Sequence, residues 1–197
     1  MGILNRCHLP LALSVRVSAT LALAALLFGL AGPGHAQTAA NEAEYQVKAA
    51  FLYKFLTFVE WPAAVFRRGD TPIVIGVLGA EPLAEELSRV VVSRTVNGRT
   101  VSVRRFRVGD SVEDLHVLFV GRAQGPRIPS IVTAAAGQAL LVVTESDDGL
   151  SSGSIINFLV VDDKVRFDVA LYRAEQAGLR ISARLLSVAR KVLTSPS

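Results

Sequence analysis

Cysteine is almost missing from this chain. Of 197 residues, Cys7 is the one cysteine, and methionine and tryptophan also occur once each. Cys7 precedes an apolar run, Val17–Leu30, so it is not placed to accept a lipid just after one. Everything downstream must hold itself by packing, with no disulfide and no thiol chemistry. Thiol oxidoreductases and cysteine hydrolases are excluded. Histidine is scarce as well: His116 is the only one beyond residue 36. A lone histidine makes no metal site, and no His/Asp/Glu cluster surrounds it in sequence.

A concentrated charge is the next absence. The formal net charge is +4, from 21 basic and 17 acidic residues. Arg6 and Arg16 lie before residue 37; without them 19 basic residues face the same 17 acidic ones, a net of +2. The basic residues are scattered, whereas a nucleic-acid binder gathers them on one face. The densest group, Arg104-Arg105-Phe106-Arg107, follows a strand pattern and reads as a solvated edge. No nucleic-acid partner is expected.

What is present begins with a leader. Arg6, His8 and Arg16 open the chain, Val17–Leu30 follows as VSATLALAALLFGL, and Pro33-Gly34 breaks it before Gly34-His35-Ala36. This is the layout of a secretory signal peptide with cleavage after Ala36. The apolar run Val17–Leu30 is short for a permanent span. Residues 37–43 then read as a flexible lead-in to one domain, 44–193, with a tail at 194–197.

The stretch Glu44–Trp61, EYQVKAAFLYKFLTFVEW, organises the domain. Tyr45, Leu52, Phe55, Leu56 and Val59 recur at helical spacing, and Val47, Phe51, Phe58 and Trp61 widen the face. Pro62 is expected to end the helix. Glu44, Gln46, Lys48, Lys54, Thr57 and Glu60 leave a narrow wet strip, and their charges rule out a membrane span. After it, PIVIGVLG (72–79) reads as a strand buried on both faces. Leu83–Val90 reads as a short helix, Thr100–Arg105 as an alternating strand, and His116–Val120 and Ala139–Thr144 as buried strands, with Ile128–Ala136 helical between them. Ile155–Val161 and Val165–Val169 pair around Asp162-Asp163-Lys164. Leu171–Ala177 and an amphipathic Ile181–Leu193 read as closing helices. The class is α/β: one layered domain, a mixed and mostly parallel sheet with an edge β-hairpin, flanked by helices.

No stretch carries a catalytic constellation. Gly76-Val77-Leu78-Gly79 lacks the spacing of a dinucleotide fingerprint and reads as a tight strand-to-helix turn. Ser151, Ser152 and Ser154 lack a nucleophile elbow. Glu145, Asp147 and Asp148 lack a calcium-loop pattern and read as helix-capping carboxylates. His116 reads as a satisfied strand-end residue and Asn157 as a buried amide tying down a neighbouring loop. Trp61 reads as an interface anchor or a core aromatic. The polar loop Ser146–Gly153, with Ser152 and Gly153, is the preferred partner contact. No metal or other cofactor is expected, and no enzyme.

EYQVKAAFLYKFLTFVEWP, PIVIGVLG, VNGRTVSVRRF, HVLFV, LLVVTESDDGLSSGSIINF, VRFDV and AGLRISARLLSVAR, in that order, resemble the YfiR family. The resemblance covers nearly all of 44–192. It implies a small periplasmic protein that binds the periplasmic domain of an inner-membrane diguanylate cyclase and represses cyclic-di-GMP synthesis, exopolysaccharide and biofilm formation. It also implies an outer-membrane lipoprotein as a second partner; a homodimer is left open. Leu115 stands where family members often carry a cysteine, so redox control does not transfer. Ser154 stands where a second loop glycine is common. The alternatives are a periplasmic small-molecule sensor or solute-binding domain, with its ligand at the strand ends, and an exported hydrolase. If the leader reading holds, intact mass of the protein released by osmotic shock should correspond to residues 37–197; a membrane-bound species retaining residues 1–36 overturns it.

Overall fold

The computed structural model describes residues 34–66 and 68–196, with side chains from residue 41 onward. The apolar leader lies outside the described residues, and so do the side chains around the expected cut. Among the described residues, no helix is long and apolar enough to cross a membrane.

Helix α1 runs Gly34–Phe58. It starts before Glu44 because Ala, Gln and Glu dominate AQTAANEAE and favour helix; residues 37–43, read as a lead-in, are helical. It stops before Trp61 because Val59–Glu60 leaves the helix as strand β1. That strand pairs antiparallel with β9, Arg180–Ile181, in register Val59↔Ile181. The Ser182 N–H donates to the Phe58 carbonyl at 2.9 Å, satisfying one of the carbonyls a helix end leaves free.

Next come β2 (Ile73–Leu78), α2 (Glu81–Val91), β3 (Thr95–Val96), β4 (Arg99–Arg105), β5 (Val117–Val120), α3 (Ile128–Ala134), β6 (Leu141–Thr144), β7 (Ile156–Val161), β8 (Lys164–Ala170), α4 (Leu171–Gln176), α5 (Ala183–Val188) and β10 (Lys191–Leu193). One eight-stranded sheet takes the order β10-β8-β7-β6-β5-β2-β4-β3. Pairing is parallel from β4 through β2, β5 and β6 to β7, and again between β8 and β10. It is antiparallel within the β3–β4 and β7–β8 hairpins. Each hairpin turns on two residues with positive φ, Asn97-Gly98 and Asp162-Asp163. This is the twist that two-residue loops require. The β7–β8 hairpin lies toward one side, with the short β10 laid outside it.

Side-chain alternation sends each strand into two cores. Val117, Phe119, Leu141 and Val143 join α1 and α2 on one face. Leu118, Val120 and Val142 join Ile128 and Ile131 of α3 on the other. On the α1 face Phe55 stacks on Phe158 at 5.6 Å between centroids and meets Phe167 edge-on at 5.1 Å. Phe51 closes the group at 5.5 Å from Phe167. Aromatic pairs at this range add to their area burial.

The wet strip of α1 needs correcting at Lys48. Its side chain is 1% exposed, while Val47 on the supposed apolar face is 43% exposed. The ammonium is buried because it is paired twice, with Glu44 one turn earlier and with Glu145 at the end of β6. Glu145 also accepts from the Arg122 N–H at 3.1 Å, and the Lys48 ammonium lies 5.3 Å from the Tyr45 ring centre. Burial and the two carboxylates push the Tyr45 hydroxyl pKa up. Glu145 thus ties α1 to the sheet rather than capping a helix, and Asp147 and Asp148 sit exposed in a turn.

The closing segment also differs. Ile181–Leu193, read as one helix, is strand, helix, strand. Ser182 caps α5 by accepting the Leu185 N–H, while the β-branched Ile181 and Val192 enter ladders opposite Val59 and Val169. Val188, placed on the buried face by its spacing, is 62% exposed. Tertiary pairing overrides the helical period here.

Two expectations follow. Phe55→Ala should lower stability in urea denaturation by about 3–5 kcal/mol, as for a fully buried phenylalanine; a loss under about 1 kcal/mol would be a surface value. Lys48→Ala should cost a similar ~3–5 kcal/mol, because it strands the buried Glu145 carboxylate. Lys48→Ala with Glu145→Gln should recover part of that loss in the same titration.

Candidate functional site

In an open α/β sheet the usual ligand crevice lies beyond the carboxyl ends of the strands, where the order reverses. Here that point is between β2 and β5, since the chain runs outward from β2 to β4 in one direction and from β5 to β7 in the other. At that point the chain is tightly packed. A Cβ on Gly121 would meet the Gly79 carbonyl oxygen at 2.4 Å, and one on Gly79 would meet Gln124 at 2.6 Å. The Gly121 N–H donates to the Leu78 carbonyl at 2.8 Å. Gly79, at φ 68°, makes the tight strand-to-helix turn read from the sequence. The room at the strand ends lies further along the sheet, in a pocket of about 470 Å³ lined by Arg122, Glu145, Ser146, Asp147 and Asn157 among others.

The opposite, amino end of the sheet is where polar and aromatic groups converge. His116 stands one residue before β5 and is bonded through three of its atoms. Its N–H donates to the Val74 carbonyl at 3.0 Å, and its own carbonyl accepts the Leu141 N–H at 2.9 Å. Its Nδ1 accepts the Val74 N–H at 3.2 Å, so the imidazole extends the β2–β5 ladder by one rung. The His116 carbonyl also accepts the Trp61 Nε1–H at 3.2 Å. The ring stacks on Phe66 at 4.9 Å with 18° between planes. The Arg99 guanidinium lies 4.0 Å from the Phe66 ring centre and donates to the Thr71 carbonyl at 3.0 Å.

Because Nδ1 is an acceptor, the ring is the neutral tautomer with its proton on Nε2. That nitrogen is buried and has no partner among the described residues. The histidine is thus satisfied on one side only, which its place in the sequence did not reveal. Burial, with the Arg99 cation second, holds its pKa below the ordinary 6.5; Asp114 pulls the other way. A pocket of about 560 Å³ adjoins, lined by Val65, Pro72, Glu113, Asp114, His116 and Gln138 among others. A second, of about 270 Å³, shares Gly137 and Gln138 with it and reaches Gly153 and Arg173.

The structure brings Trp61 and His116 together and places Asn157 elsewhere, opposite Thr144 at the carboxyl end of β6. Asn157 Oδ1 accepts the Thr144 hydroxyl at 2.6 Å and the Ser146 N–H at 3.2 Å. Thr144 Oγ1 in turn lies 3.0 Å from the buried Ser154 hydroxyl. Gly149 packs so closely on this group that a Cβ would come within 2.2 Å of Asn157 Oδ1. The amide therefore ties down the Ser146–Gly153 loop. Ser152 is half-buried, while Gly153 is buried against Val132 at φ 116°. Gly153 supplies backbone shape, and the exposed residues of the loop are Asp147, Asp148 and Ser151.

Sequence reading missed Phe66, Arg99 and Lys48. The first two lie far apart in the chain from His116, and their stack depends on β2, β4 and β5 being adjacent. The signal for Lys48 was the apolar residues flanking it in VKAAF, set against an acidic residue ending a buried strand. Among the described residues no group of three His, Cys, Asp or Glu side chains could hold a metal ion. Leu115 packs in the α3-side core, 2.8 Å from where a Cβ on Gly76 would be.

Comparison with curated proteins gives no match. A family model described as YfiR/HmsC-like matches residues 45–190, a range that takes in both cores, the His116 knot and the loop held by Asn157. The chain belongs to the YfiR/HmsC-like family.

Proposed function

We propose that this protein is a periplasmic regulatory binding protein that represses an inner-membrane diguanylate cyclase and so lowers cyclic-di-GMP signalling and biofilm formation. The observation that carries the reading is the family match over residues 45–190, which spans the sheet domain rather than a fragment of it. Its partner is the cyclase's periplasmic domain, with an outer-membrane lipoprotein as a second partner that withdraws the repressor. Binding rather than catalysis is the activity. Trp61, half-buried at the end of α1, and Ser152 on its tethered loop are the proposed contact residues.

A small-molecule sensor is the second reading, and one observation favours it. The 560 Å³ pocket at the amino end of the sheet is of the size that small ligands occupy. A large, saturable rise in melting temperature with a small ligand would favour this reading.

Repression is a coupling between two proteins, so it needs the cyclase present. Deleting the gene should raise cyclic-di-GMP and surface attachment, and deleting the cyclase gene as well should return both to baseline. Cyclic-di-GMP that stays flat in the single deletion, in cells expressing both proteins, would sink the repressor reading. Full complementation by a form lacking residues 1–36 would sink the periplasmic site of action.

A further inference from the structure

The imidazole of His116 is built into the sheet in a way that leaves no place for a second proton. The side chain is 5% exposed. Its Nδ1 faces a backbone N–H from Val74, a donor that cannot turn away because Val74 is held in the β2 ladder. Protonating Nδ1 would set two N–H groups head to head and would bury a cation in an aromatic stack. Nε2 is buried and unpartnered among the described residues, so it offers the extra charge no compensating acceptor.

The charged groups around the ring come from two sides. Arg99, from β4, opposes protonation across Phe66. Asp114, two residues before His116, favours it, with Glu113 beside it at the rim. Pro72, Ile73 and Val74 at the start of β2 and Gly137, Gln138 and Ala139 before β6 are uncharged. On the far side Trp61 and Phe66 are held by this residue's carbonyl, its ring and Arg99.

We infer that His116 is an acid-sensitive latch: protonation expels its ring from between Val74 and Phe66 and removes the ring contacts that hold Phe66 and flank Trp61, loosening the segment Trp61–Phe66 at the amino end of the sheet. The sign follows from the geometry. At neutral pH the ring is uncharged in both folded and unfolded chains and the latch is closed. Below about 6.5, the ordinary histidine value, the unfolded chain takes up a proton that the latched form refuses, so the latched form loses stability as pH falls. Once the pH passes the lowered value in the fold, the open form with a hydrated imidazolium prevails. The segment loosened carries the one tryptophan of the chain, so the change alters a surface at the end of α1.

That tryptophan also makes the test direct. The emission maximum of Trp61, rather than its intensity, which a nearby imidazolium would quench, should shift to the red in one step as the purified protein is acidified below the ordinary histidine value. Far-UV circular dichroism should hold through that step. His116→Asn, whose Oδ1 falls where Nδ1 stood and does not titrate, should abolish the step. Arg99→Gln, at a half-buried position, should move its midpoint to higher pH by removing the opposing cation. A maximum that stays fixed until the circular dichroism collapses overturns the latch, as does an unchanged step in His116→Asn. Should His116→Asn fail to fold, the Arg99→Gln titration decides, and an unmoved midpoint overturns it.

Discussion

The fold depends on the contact of Phe55 with Phe158 and Phe167. These rings join α1 to the β7–β8 hairpin. A helix of this kind owes its stability to the face it buries more than to its own propensity. Because the domain has no disulfide to draw on, this contact and the rows of valine, leucine and isoleucine around it supply the cohesion. The cross-strand register follows: Phe158↔Phe167 is a directly opposed pair, so a slip of one residue in the hairpin would turn one of the rings away from the other.

Polar residues then set geometry at the two ends of the sheet, and they do it differently. At the carboxyl end Glu145 joins Lys48 of α1, the backbone of Arg122 and the beginning of the loop that Asn157 secures. These are charges buried only because each is paired. At the amino end a neutral imidazole and an indole are instead recruited into backbone hydrogen bonding. The first arrangement is held by ion pairs and side-chain carboxylate and amide acceptors. The second uses as acceptor an imidazole nitrogen, which is itself a base.

Much of this was legible in the residues. The class of fold, the strands buried on both faces and the hairpin around Asp162-Asp163 follow from apolar runs and turn chemistry, which are local. Asn157 as a loop tether was legible because an amide inside SIINFLV needs a partner. What was not legible is non-local. Lys48 reads as wet until Glu145 is brought against it, and Ile181–Leu193 keeps a helical period although its ends are claimed by Val59 and Val169. Phe66 and Arg99 have no pattern marking them, because their stack with His116 exists only once three strands are aligned. The close approach of Gly79 and Gly121 is similar: two glycines, each ordinary in its own turn, press on each other only when β2 and β5 are neighbours.

The pairing of Val59 with Ile181 has a further consequence, for the order of folding. The exit of the first helix is completed by residues that follow the β7–β8 hairpin in the chain, and the bordering strand Lys191–Leu193 pairs with β8 only after the turn through α5. Contacts of such long sequence separation form slowly, since a large loop must close before they contribute. The β7–β8 hairpin, whose paired residues are near neighbours in the chain, is placed to form before this closure does. The exit of α1 is thus a late-setting joint, and substitutions at Val59 or Ile181 should speed unfolding more than they slow folding.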